Sequence, residues 1–98
     1  MKEYIFDKFV DNILKHTGLT KNQLFENTKQ AMVVEARKIL YYLCKERGIK
    51  DTALKSYMAK NGYTLHDGSI TFARHSLEKI ISNDPDYIII INKLKEID

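Results

Sequence analysis

Where this chain places its few helix breakers decides most of what it can fold into. It holds one proline, Pro85, and four glycines, of which Gly18, Gly48 and Gly62 each follow a stretch where apolar residues return every three or four positions. That period marks amphipathic helices, and a glycine just beyond it ends a helix because it accepts positive φ at no steric cost. Ile5, Phe6, Phe9, Ile13 and Leu14 predict a first helix over 3–16, stopped by Gly18. Val33, Val34, Ile39, Leu40, Leu43 and Cys44 predict a long central helix over 31–47, stopped by Gly48. Ala53, Leu54, Tyr57 and Met58 predict a shorter one, capped by Asp51 or Thr52 and terminated by Asn61 and Gly62. Between the first two, Thr20 and Gln23 stand at capping-box spacing over a short turn, with Leu19 placed to staple onto Leu24. A loop, 26–30, follows. The fold class is all-α, a small helical bundle.

The stretch 66–81 is the least ordinary. Ile70, Ala73, Leu77, Ile80 and Ile81 make its apolar stripe, and Asp67 is a good N-cap residue. Its other side carries Ser69, Thr71, Phe72, His75 and Ser76, where a solvated helix would carry Glu, Lys and Gln. Short hydroxyls, an imidazole and an aromatic ring suit close approach to another molecule. Joined to the preceding short helix by a tight turn, it reads as the recognition helix of a helix-turn-helix over 51–81, with duplex DNA as the expected partner. The last helix is signalled by Asn83-Asp84-Pro85-Asp86, with Ile88, Ile90, Ile91, Leu94 and Ile97 on its apolar side. The β-branched run from Tyr87 to Ile91 has no partner strand elsewhere in the sequence, so helix is the reading there too.

Composition narrows the function classes. Ninety-eight residues, 44% of them hydrophobic, suffice for one small core and so for a single domain, 1–98. The formal charge of +3 is unevenly spread: residues 35–79 carry nine Lys or Arg against five acids, whereas residues 80–98 carry two against four. Positive charge thus gathers in the middle, as a nucleic-acid partner requires. A lone Cys44 forms no intrachain disulfide and fits a reducing cytoplasm. No window reaches membrane-span length, and the first residues lack a signal-peptide apolar core, so a cytoplasmic protein without membrane attachment is expected. His16, His66 and His75 do not combine with Cys44 or with acids at metal-ligand spacing. No glycine-rich phosphate loop, nucleophile elbow or paired carboxylates appear either, so no enzyme activity, cofactor, metal or small-molecule substrate is expected.

For a DNA partner, Lys29 in the loop, Arg37 and Lys38 early in the long helix, and Lys55 and Lys60 on the first helix of the motif are candidate phosphate contacts, with Arg74 and Lys79 as additions. Ser69, Thr71, Phe72 and His75 are candidates for base or sugar-edge contact. A second reading is a protein-interaction module on the same scaffold, anchored by Tyr41 or Tyr42, Tyr63 and Phe72.

From Leu19 onward, about four fifths of the chain resembles the C-terminal DNA-binding domain of the bacterial replication initiator DnaA. The likeness rests on the leucine-bearing turn at Leu24, the loop Asn27 to Gln30, and the helix E-A-R-K-I-L-Y-Y-L-C-K-E with Arg37, Ile39, Leu40, Leu43, Lys45 and Glu46. It continues through a helix-turn-helix ending D-G-S-I-T-F-A-R-H-S-L-E-K-I and a closing helix from Asp84. The family opens its recognition helix with Asp-His-Thr-Thr, then a Val and, three residues later, an Ala. Setting Ile70 and Ala73 on those last two keeps the apolar stripe in phase. The signature then falls on His66, Asp67, Gly68 and Ser69, where Ser69 alone is conservative, and Lys29 is the one cation in place of the family's minor-groove arginine. The resemblance therefore implies a Trp-repressor-like bundle that binds double-stranded DNA with altered or weak sequence specificity, His66 and Gly68 joining the contact set. With no room for the family's ATPase part, it also implies a free-standing relative in a replication setting, of phage or mobile-element type.

Overall fold

The helices form where the apolar stripes predict them, and their ends follow from local chemistry. A computed structural model describes residues 2–97, the side chain of Asp67 excepted. Among the described residues six helices run in order: α1 (Lys2–Thr17), α2 (Lys21–Leu24), α3 (Ala31–Glu46), α4 (Asp51–Lys60), α5 (Asp67–Asn83) and α6 (Tyr87–Leu94). The described residues contain no strand, and Tyr87 to Ile91 is helical.

Gly18, Gly48 and Gly62 all adopt positive φ, between 78° and 86°. After α3, Ile49 N–H donates to the Cys44 carbonyl at 2.9 Å and Gly48 N–H to that of Lys45 at 3.0 Å. After α4, Tyr63 and Gly62 repeat the pattern onto Met58 and Ala59, both at 3.0 Å. These are paired Schellman closures, and in the first the residue past the glycine, Ile49, is fully buried. The Thr20 capping box is also formed: Gln23 N–H donates to Thr20 Oγ1 at 3.1 Å, and Thr20 N–H donates to Gln23 Oε1 at 2.8 Å.

Two starts differ from the sequence expectation. Lys50 holds the N-cap of α4, so Asp51 enters the first turn, where its carboxylate accepts a hydrogen bond from Lys45 Nζ instead of capping. His66 holds the N-cap of α5 without a side-chain bond, which makes Asp67 the first helical residue; its side chain lies outside the described set. α6 is entered through the residues that signalled it: Asp84 Oδ1 accepts from Asp86 N–H at 3.2 Å, with Pro85 between them, and Tyr87, Ile88 and Ile89 N–H donate to the carbonyls of Asp84, Pro85 and Asp86 at 2.9, 3.2 and 3.1 Å, so a tight turn runs on into the regular helix from Tyr87. It ends at Leu94, and Ile97 packs half-buried on the core from beyond the helix.

α3 is the strut against which both α1 and α5 pack, while α6 touches α1 and α5. Phe6, Phe9 and Ile13 of α1, Leu40, Leu43 and Cys44 of α3, Leu54 and Met58 of α4, Leu77 of α5 and Ile91 of α6 are sealed from solvent. Each large side chain so buried contributes about 1.5–3 kcal/mol. The radius of gyration, 12.4 Å, is that of a compact chain of this length. Asn12 of α1 fastens the end of α6 by donating to the carbonyls of Leu94 at 3.0 Å and Glu96 at 2.9 Å. Burial pushes the Cys44 thiol up to about 12, so it stays protonated and packs as a small apolar side chain. No described helix is long and apolar enough to cross a membrane.

Candidate nucleic-acid interface

Arg37 corrects the sequence reading most sharply. Expected at a phosphate, it is 5% exposed, on the inner side of α3. Its Nη1 donates to the carbonyls of Leu24 at 3.0 Å and Glu26 at 2.8 Å, and its Nη2 to that of Thr28 at 2.8 Å. The guanidinium carbon lies 4.7 Å from the centroid of the Tyr63 ring. One planar cation thereby folds the loop after α2 around itself and stacks on the turn between α4 and α5, satisfying carbonyls that no helix serves. Its donors point inward, so it holds the loop that carries Lys29 and is no phosphate contact.

The tyrosines are corrected as well. Tyr41 and Tyr42 are 4% and 8% exposed and belong to the core, so neither anchors a partner. Burial pushes the Tyr41 phenol up, with Tyr63 close by adding to the shift, and its hydroxyl has no hydrogen-bond partner of good geometry among the described residues. Tyr63 is half-buried by its stack on Arg37.

The outward side of α5 is open. Gly68, Thr71, Phe72 and His75 are all exposed, Ser69 is half-buried at the edge, and His66 is exposed just before the helix. Phe72 is 63% exposed, and Lys38 reaches over from α3 to place its ammonium 4.8 Å from the ring centroid. At Gly68 nothing lies within 4 Å of where a Cβ would stand, so the chain's own packing does not demand a glycine there. On one flank, Thr71, Arg74, His75 and Glu78 line a cleft with Lys45 and Asp51. The charges of that cleft are matched pairwise, Arg74 with Glu78 at 3.8 Å and Lys45 with Asp51.

The remaining cations are dispersed. Lys29 is exposed on the loop after α2, Lys55 is half-buried on α4, and Lys79 is exposed near the end of α5. Lys60 of α4 pairs with Glu3 of α1 at 3.0 Å, both side chains about half exposed, an arrangement worth well under about 1 kcal/mol and readily exchanged for another anion. Sequence reasoning missed the Lys38–Phe72 pair and the role of Tyr63, since contacts between helices leave no periodic trace along the chain. The described residues contain no group of three His, Cys, Asp or Glu placed to hold a metal ion.

No protein-family model matches the chain, and no characterised protein or solved structure does.

Proposed function

We propose that the chain is a double-stranded DNA-binding module, in which α4, the turn over 61–66 and α5 act as a helix-turn-helix similar to that of the DnaA C-terminal domain. α5 is then the recognition helix, lying in the major groove, with Lys29, Lys38, Lys55 and Lys60 toward the phosphates. The observation that carries this reading is the outward side of α5: Gly68, Thr71, Phe72 and His75 are exposed together, Lys38 stands over Phe72, and the acids described at the flank, Glu78 and Asp51, are each paired with a cation, Arg74 and Lys45. The side-chain-free Gly68, which internal packing does not require, supports close approach of a partner at the start of the helix. Burial of Arg37 removes one candidate phosphate contact, which supports weaker electrostatic binding than the sequence count of cations would give. In a fluorescence titration at low salt, a random-sequence duplex should bind at micromolar protein or below; no binding in that range contradicts the proposal.

A second reading, a protein-interaction module, is favoured by Met32 and Ile89. They are 60% and 65% exposed, and Met32 lines an apolar cleft with Ile39, Tyr87 and Ile90.

A further inference from the structure

Phe72 is 63% exposed on the outward side of α5, and what surrounds it makes that exposure informative. A single exposed apolar residue needs no explanation. Here, however, Gly68 one turn earlier leaves space with nothing within 4 Å of a would-be Cβ, while Thr71 and His75 beside it are short polar groups, also exposed. Lys38 arrives from a different helix and sets its ammonium 4.8 Å from the ring centroid. That contact restrains the ring's orientation, which lowers the cost of ordering it against a partner.

A phenyl ring has neither donor nor acceptor, so it cannot read the hydrogen-bonding pattern of base edges. The apolar feature that the major groove offers is the C5-methyl group of thymine. We propose that Phe72, oriented by Lys38, is the specificity-determining residue of this face and reads a thymine methyl, with the Lys38 ammonium directed to the phosphate backbone alongside. This assignment rests on the DNA-binding reading above. The complementarity is both apolar and electrostatic: a ring for a methyl and a cation for the strand that carries it.

The test uses a duplex enriched from a random pool by the wild-type chain and the same duplex with every thymine replaced by uracil, which removes only methyl groups. Anisotropy titrations of wild type should show about a fourfold loss on the uracil duplex, the size expected for burying one methyl. Phe72→Ala should bind the thymine duplex about as weakly as wild type binds the uracil duplex, with no further loss on uracil. Phe72→Leu, still apolar, should keep part of the difference, and it carries the comparison if Phe72→Ala binds too weakly to titrate. Equal wild-type affinity for both duplexes, or an unchanged thymine-to-uracil ratio in the variants, overturns the thymine assignment and leaves duplex binding standing. Failure of wild type to bind either duplex overturns the underlying DNA reading and this inference with it.

Discussion

Arg37→Ala should destabilise the folded chain by about 3 kcal/mol, because it strips a charged donor from the carbonyls of Leu24, Glu26 and Thr28. The Leu24 carbonyl is buried with its bond, whereas those of Glu26 and Thr28 are part-buried and recover hydration more readily. The stack on Tyr63 goes as well, which frees the turn between α4 and α5 from α3. For a domain of this size such a loss lowers the melting temperature by more than about 10 °C. Arg37→Lys should recover little of it, since a single ammonium cannot reproduce a planar fork aimed at three oxygens. Thermal or urea unfolding followed by circular dichroism measures both variants. A change within about 0.5 kcal/mol, the usual effect of removing a surface cation, would show that the buried clamp contributes nothing.

The second large effect is on salt. If Lys29, Lys38, Lys55 and Lys60 each neutralise one phosphate, the slope of log K against log salt is about −3.6, and duplex affinity falls about a hundredfold between 50 and 200 mM salt. Lys29→Ala and Lys38→Ala should each reduce that slope by about one. Arg37→Ala, assayed below its melting temperature, should lower the slope by no more than Lys29→Ala does, and adding it to Lys29→Ala should lower it no further, because the guanidinium faces carbonyls and can reach the strand only through the loop that carries Lys29. This separates a cation that holds the fold from cations that hold the strand. A slope near zero in wild type would remove the electrostatic basis of the proposal, and a lower slope in the Arg37→Ala, Lys29→Ala double variant than in Lys29→Ala alone would return Arg37 to the phosphates.

Much of the architecture was readable in the sequence because it is written in local chemistry. Gly18, Gly48 and Gly62 stop helices by accepting positive φ, and Thr20 with Gln23 starts one by exchanging side-chain and backbone hydrogen bonds. Asp84 and Pro85 mark the start of α6 in the same way, Asp84 accepting from the Asp86 N–H at the head of a tight turn that runs into the helix. The candidate site was less legible. Val33, Arg37, Leu40 and Cys44 follow one another at steps of four, three and four, so Arg37 occupies a position in the buried stripe of α3. A cation in that position signals an internal clamp, yet its charge drew it toward phosphate in the sequence reading. Tyr41 and Tyr42 looked like candidate anchors until α5 was seen packed on α3. The Lys38–Phe72 pair joins residues far apart in sequence and depends on how two helices cross, which no periodicity encodes.

The most direct test of the central claim is an amide chemical-shift map of the isotope-labelled chain titrated with duplex at low salt. The account predicts that the largest perturbations fall on Lys29, Lys38 and the outward residues of α5, namely Gly68, Thr71, Phe72 and His75, with Tyr87–Leu94 unmoved. Perturbations centred on Met32 and α6, or none at all at saturating duplex, would contradict it.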